Sequence, residues 1–144
     1  MYESSPVEEK LTSFRLGDQL VPVSYVETVA VKDGVSCDVY AFEGDTSRDL
    51  AVVTVLQGAK TPLQRVLKGE TTVEGIVNGV GALTVWAEDG TAMRHTFGPE
   101  NTDDPVAVKI GERMQWSAEG EADLVFYELC TPPYEDGRFE NLTD

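Results

Sequence analysis

A chain of 144 residues, 41% hydrophobic and 26% charged, is long enough for a single two-layer core and has the composition of an ordinary globular domain. Its 26 Asp and Glu against 11 Lys and Arg leave a formal net charge of −15, which repels phosphate backbones and anionic lipid and argues against nucleic-acid and membrane partners. No apolar run approaches the roughly 20 residues of a membrane span, and the acidic start MYESSPVEEK is unlike a secretory signal, so a cytoplasmic protein is expected.

In chain order, residues 1–10 are expected to form a flexible acidic tail and residues 11–144 one β-barrel domain. Residues 24–32 and 35–42 read as strands flanking Asp33-Gly34, a two-residue hairpin turn. Residues 50–57 (LAVVTVLQ) are apolar on both faces, as a strand packed from two sides would be. Short strands follow over 63–67 and 71–77. Asn78-Gly79 then turns the chain into 82–87, and Asp89-Gly90 turns it back into 91–97. Residues 105–110, 113–116 and 122–130 complete the set. The prolines of Thr131-Pro132-Pro133-Tyr134 end the last strand, since they cannot donate to a ladder. The remainder, EDGRFENLTD, reads as a polar tail with Phe139 and Leu142 as anchors. No apolar stripe recurs at helical spacing, so roughly ten short antiparallel strands predict an all-β barrel or sandwich. Cys37 and Cys130 lack metal-type spacing and read as reduced structural thiols. The excess acid suits either a solvated surface or a high-salt habitat.

The segment from Gly58 to Gly79, GAKTPLQRVLKGETTVEGIVNG, has the frame of a metal-binding signature: Gly, five residues, His-x-His, three or four residues, Glu, then Gly. Gln64 and Val66 stand at the histidine positions and Glu70 at the carboxylate. A second frame begins at Gly111 and places its histidine at Ala122. With the closing FYELCTPPYEDGRF, the order of these pieces over residues 36–142 resembles the cupin superfamily. The resemblance implies a single jelly-roll barrel and a homodimer formed through edge strands. It also implies a lost metal site: the one histidine, His95, cannot supply a multi-histidine ligand set, and one amide with one carboxylate does not hold a transition metal against water. No cofactor and no resident metal are therefore expected.

Alternation along 63–68 puts Gln64 and Val66 on the interior face and Arg65 outside. Gln64 reads either as a ligand hydrogen-bonder or as a satisfied core glutamine. Trp86 and Trp116 read as a stacking surface for a ring-shaped ligand or as packing. Tyr127 reads as a donor into the pocket or as packing. Two functions follow. One is a metal-independent small-molecule binder, for a sugar or organic acid, with a pocket of Gln64, Val66, Trp86, Trp116 and Tyr127. The other is a metal-independent isomerase, epimerase or cyclase, with Glu70 or Glu74 as base and Tyr127 or His95 as acid. Glu70 also reads as a residue of a solvated loop, and His95 as a surface residue.

Overall fold

The computed structural model describes residues 10–99 and 104–143. The expected tail over 1–10 lies outside the described residues except for Lys10, whose ammonium pairs with Asp38 at 3.3 Å. Among the described residues there are twelve strands and no helix: β1 (Ser13–Leu16), β2 (Gln19–Lys32), β3 (Val35–Phe42), β4 (Asp45–Val55), β5 (Gln64–Val66), β6 (Thr71–Asn78), β7 (Gly81–Trp86), β8 (Ala92–Phe97), β9 (Val106–Ala107), β10 (Arg113–Ala118), β11 (Leu124–Thr131) and β12 (Phe139–Asn141). No helix among them is long and apolar enough to cross a membrane.

The strands form two antiparallel sheets, one in the order β1-β2-β3-β4-β11-β6-β9 and the other β12-β5-β10-β7-β8. Strict alternation decides which side chains meet between them. Val35, Val53, Val55, Leu124 and Phe126 from the larger sheet pack against Val66, Leu83, Val85, Phe97, Met114 and Trp116 from the smaller one. The Trp116 ring stacks on Phe126 at 4.4 Å between centroids, with the planes 10° apart.

A second apolar cluster lies on the other face of the larger sheet, where Phe14, Val23, Tyr40, Phe42 and Leu50 bury one another with Tyr127 and Leu129 alongside. Phe14 meets Tyr127 edge-on at 5.2 Å. The β1–β2 hairpin provides this cover, turning at Gly17, whose φ of 60° suits glycine. Opposite it, Gly75 leaves room for the Tyr127 ring to lie across β6, and a Cβ there would collide with it.

Several expectations about elements are corrected. The β1 strand and the first residues of β2 and β4 extend the pattern beyond the predicted runs, because hairpin pairing carries polar residues such as Gln19 and Asp45 into strands. Over 105–110 only Val106 and Ala107 pair, against β6. The supposed tail after Pro133 is anchored: β12 pairs with β5, and Arg138 beside it is fully buried. The Arg138 guanidinium donates to the carbonyls of Pro132 (2.7 Å) and Thr71 (2.5 Å) and to the Thr72 hydroxyl (3.0 Å). These acceptors lie at the ends of β6 and β11, so one buried cation ties the C-terminal segment to the larger sheet.

Candidate functional site

Four neighbouring strands of the larger sheet present their inward side chains in register. Glu128 on β11 stands opposite Glu74 on β6 and opposite Ala51 on β4, while Cys130 stands opposite Thr72 and Asp49. Cys37 on β3 lies opposite Val53. In front of them the sheets part to leave a cavity of about 790 Å³. Its wall is mostly aliphatic and aromatic, and Cys37, Asp49, Gln64, Glu128, Cys130 and Tyr134 bring their polar groups to it.

Glu74 sits behind this wall with no exposed surface. Its Oε1 accepts a hydrogen bond from Trp116 Nε1 at 2.8 Å, and Oε2 has no donor. Burial pushes its carboxyl well above the usual carboxylate range, and the Glu128 carboxyl beside it pushes further in the same direction. The protonated form resolves the geometry, because a hydrogen on Oε2 turns two facing acceptors into a donor and an acceptor.

The remaining polar groups respond to the same surroundings. Burial, reinforced by Glu128, lifts the Cys37 thiol to about 12 and raises Cys130 as well, so neither is a thiolate near neutrality. The Cys130 thiol contacts Glu128 Oε1 at 3.7 Å. Asp49 is raised by burial against the hydrogen bond it accepts from the Tyr134 backbone N–H at 3.0 Å. Tyr134 and Phe139 stack at 6.0 Å near the C-terminal end of the wall.

The residues singled out from sequence divide sharply. Gln64 does line the cavity, with its amide donating to Asn141 Oδ1 at 2.8 Å, and Arg65 does face outward, paired with Glu140 at 3.5 Å. Glu74 faces inward beside Glu128. Val66 and Trp116 belong to the packed core, which corrects their placement on a pocket wall. Trp86 alternates with Leu83 and Val85 onto the outer face, where the Arg113 guanidinium lies 5.8 Å from its ring. Tyr127 is on the outer face beneath Phe14. Glu70 is exposed in the loop before β6, as the alternative reading of it held. His95 is half-buried on β8, the last strand of the smaller sheet, away from the cavity. Among the described residues no group of three or more His, Cys, Asp and Glu is arranged to hold a metal ion. The four positions of the metal frame do not converge: Val66 is in the core, Gln64 is engaged by Asn141, and Glu70 and Ala122 are exposed.

Sequence reasoning assigned no site role to Glu128, Asp49, Tyr134 or Arg138, and read Cys37 and Cys130 only as structural thiols. For Glu128 a signal existed, since alternation along 122–130 sets it on one face with Leu124, Phe126 and Cys130. Arg138 had none, because its acceptors are the carbonyls of Pro132 and Thr71 and the Thr72 hydroxyl, and nothing in the sequence marks them as partners of an arginine.

Solved structures share this arrangement. The capsular polysaccharide assembling protein CapF from Staphylococcus aureus superposes with a TM-score of 0.66 over 88% of this chain, at 13% identity. A variant of Bacillus subtilis oxalate decarboxylase gives 0.66 over 81% at 21% identity, and the 7S globulin of Momordica charantia 0.63 over 83% at 14%. This chain has the cupin fold. It spans only about a third of the length of those cupin-fold chains, covering 33%, 30% and 35% of them respectively. No family model and no curated protein matches the sequence. A decarboxylase and a 7S globulin share the fold, so function has to be argued from this chain's own cavity.

Proposed function

We propose that this protein binds a small molecule, without a resident metal, in the cavity between its two sheets. The observation that carries the reading is the cavity of about 790 Å³, a size that suits a small organic ligand, lined by apolar side chains with a few convergent polar groups. The packed core does not require that space, since Trp116, Phe126 and Val66 already fill the centre. Gln64 and Glu128 are the polar groups best placed to orient a ligand, from opposite sheets. The protein is further proposed to act in the cytoplasm as a homodimer, with a second copy pairing along β2, which β1 covers only over Gln19–Pro22.

The test is to fill the cavity. Ala51 faces it between Val39 and Glu128, so Ala51→Phe places a ring where a ligand would sit. A panel of basic, neutral and acidic small molecules is titrated into both proteins by calorimetry. Binding to the wild type that Ala51→Phe abolishes supports the reading. Binding unaffected by the block, or absent across the panel, counts against it.

One observation favours a second reading. The juxtaposed carboxyls of Glu74 and Glu128 form an acid–base pair at the cavity wall, suited to proton transfer in a metal-independent isomerase, epimerase or cyclase. An enzyme of that kind loses turnover but keeps its substrate when Glu128 becomes Gln.

A further inference from the structure

We propose that the ligand of this cavity is an organic amine, its ammonium group paired with Glu128 and its apolar body lying along the aliphatic wall. The inference deepens the binding reading above and rests on it.

Four of the ionisable residues lining the cavity are acids, Glu27, Asp45, Asp49 and Glu128, and one is basic, Arg48. That guanidinium is committed to Asp45 at 3.2 Å. Glu128 is half-buried, and among the described residues no cation pairs with it; its side-chain contacts are the weak Cys130 thiol at 3.7 Å and the Glu74 carboxyl behind it. A carboxylate withdrawn from water without a partner is costly, and a cation entering beside it removes that cost.

Behind Glu128 stands a second, independent mark. The Oε2 of the wholly buried Glu74 has no partner but Glu128 itself, so Glu128 backs onto a second carboxyl and not onto a cation. Donors already on the wall are committed elsewhere: the Gln64 amide to Asn141, and the Tyr134 N–H to Asp49. With its one guanidinium taken by Asp45, the cavity lacks a free hydrogen-bond donor with positive charge, and an ammonium group brings up to three such hydrogens.

The rest of the wall fits the rest of such a ligand. Val35, Val53 and Phe126 offer apolar contact, and the stacked Tyr134 and Phe139 offer aromatic surface. A carboxylate ligand meets four acids here and one guanidinium already taken by Asp45, so the wall favours an amine over the organic acid expected from sequence. The net charge of −15 draws cations towards the molecule and repels anions.

The experiment uses three probes with one six-carbon tail and different heads: hexylamine, hexanol and hexanoate. Each is titrated at neutral pH into the wild type, Glu128→Gln and Ala51→Phe, with a thermal melt confirming that every variant is folded. Preference for the amine, loss of about tenfold or more of its affinity in Glu128→Gln, and no binding to Ala51→Phe are the expected results. Hexanol or hexanoate binding as well as the amine, with Glu128→Gln unaffected and Ala51→Phe inert, overturns the amine assignment and leaves the binding reading standing. Failure of all three to bind the wild type overturns both.

Discussion

Replacing Glu74 by glutamine should make the protein more stable at neutral pH, although it alters a fully buried polar group. In the wild type the carboxyl accepts from Trp116 through Oε1 and has no donor for Oε2. Its folded-state pKa is raised by burial first and by Glu128 second, above the ordinary 4.5. A carboxyl with a raised folded pKa keeps its full contribution to stability below the unfolded value and loses it as pH climbs towards the folded one. The loss is about 1.4 kcal/mol for each pH unit within that window. Glutamine does not titrate. Its carbonyl can keep the Trp116 bond while its NH₂ group donates to Glu128, replacing two facing acceptors by a donor and an acceptor.

Urea denaturation of both proteins between pH 4.5 and 8 measures the difference. The two should be nearly equal in stability at the acid end, with Glu74→Gln ahead by up to ~1.4 kcal/mol one unit higher and its pH dependence flatter. The −15 background charge and the raised Asp49 act on both proteins and cancel in the difference. A variant less stable than wild type at neutral pH, or one with an unchanged slope, would refute the reasoning about the buried pair.

Trp116→Phe keeps the stack on Phe126 but deprives Glu74 of its one donor; a cost of about 1–3 kcal/mol is expected in the same assay. Arg138→Met should destabilise by about 3 kcal/mol, since it leaves the carbonyls of Pro132 and Thr71 without their donor, and hydrogen exchange should quicken first in β12. Phe14→Ala should cost about 3–4 kcal/mol by opening the cover over Tyr127, measured by thermal unfolding with ligand binding retained. Cys37, partly buried and lifted to about 12, and the buried Cys130 should resist a thiol-specific disulfide reagent at pH 8 until the protein unfolds; rapid labelling of the native state would contradict their assignment as neutral thiols.

The sequence carried the fold through features whose physics is local. Asp33-Gly34, Asn78-Gly79 and Asp89-Gly90 are turns whose chemistry is written in two residues, and Gly34, Gly79 and Gly90 do have positive φ. Alternation put Gln64 inward and Arg65 outward, as found. The candidate site was less legible because burial depends on what lies opposite. Trp86 and Trp116 are the same residue type on paired strands, yet one faces solvent and Arg113 while the other stacks in the core. Val66 and Gln64 share a face, but the sheets are closed at one and part at the other. The Glu74–Glu128 pairing needs the β6–β11 register, which joins residues 54 positions apart and has no sequence mark. Arg138 was hidden in a stretch whose polarity mimics a tail.

The central claim, that this cupin-fold cavity is a ligand site centred on Glu128, is tested most directly by mapping amide chemical-shift changes as hexylamine is added to the wild-type protein. The expected shifts saturate and cluster at Cys37, Val53, Glu128 and Tyr134, around the cavity wall. Shifts confined to the outer face near Trp86, or spread over the acidic surface without saturation, would contradict it.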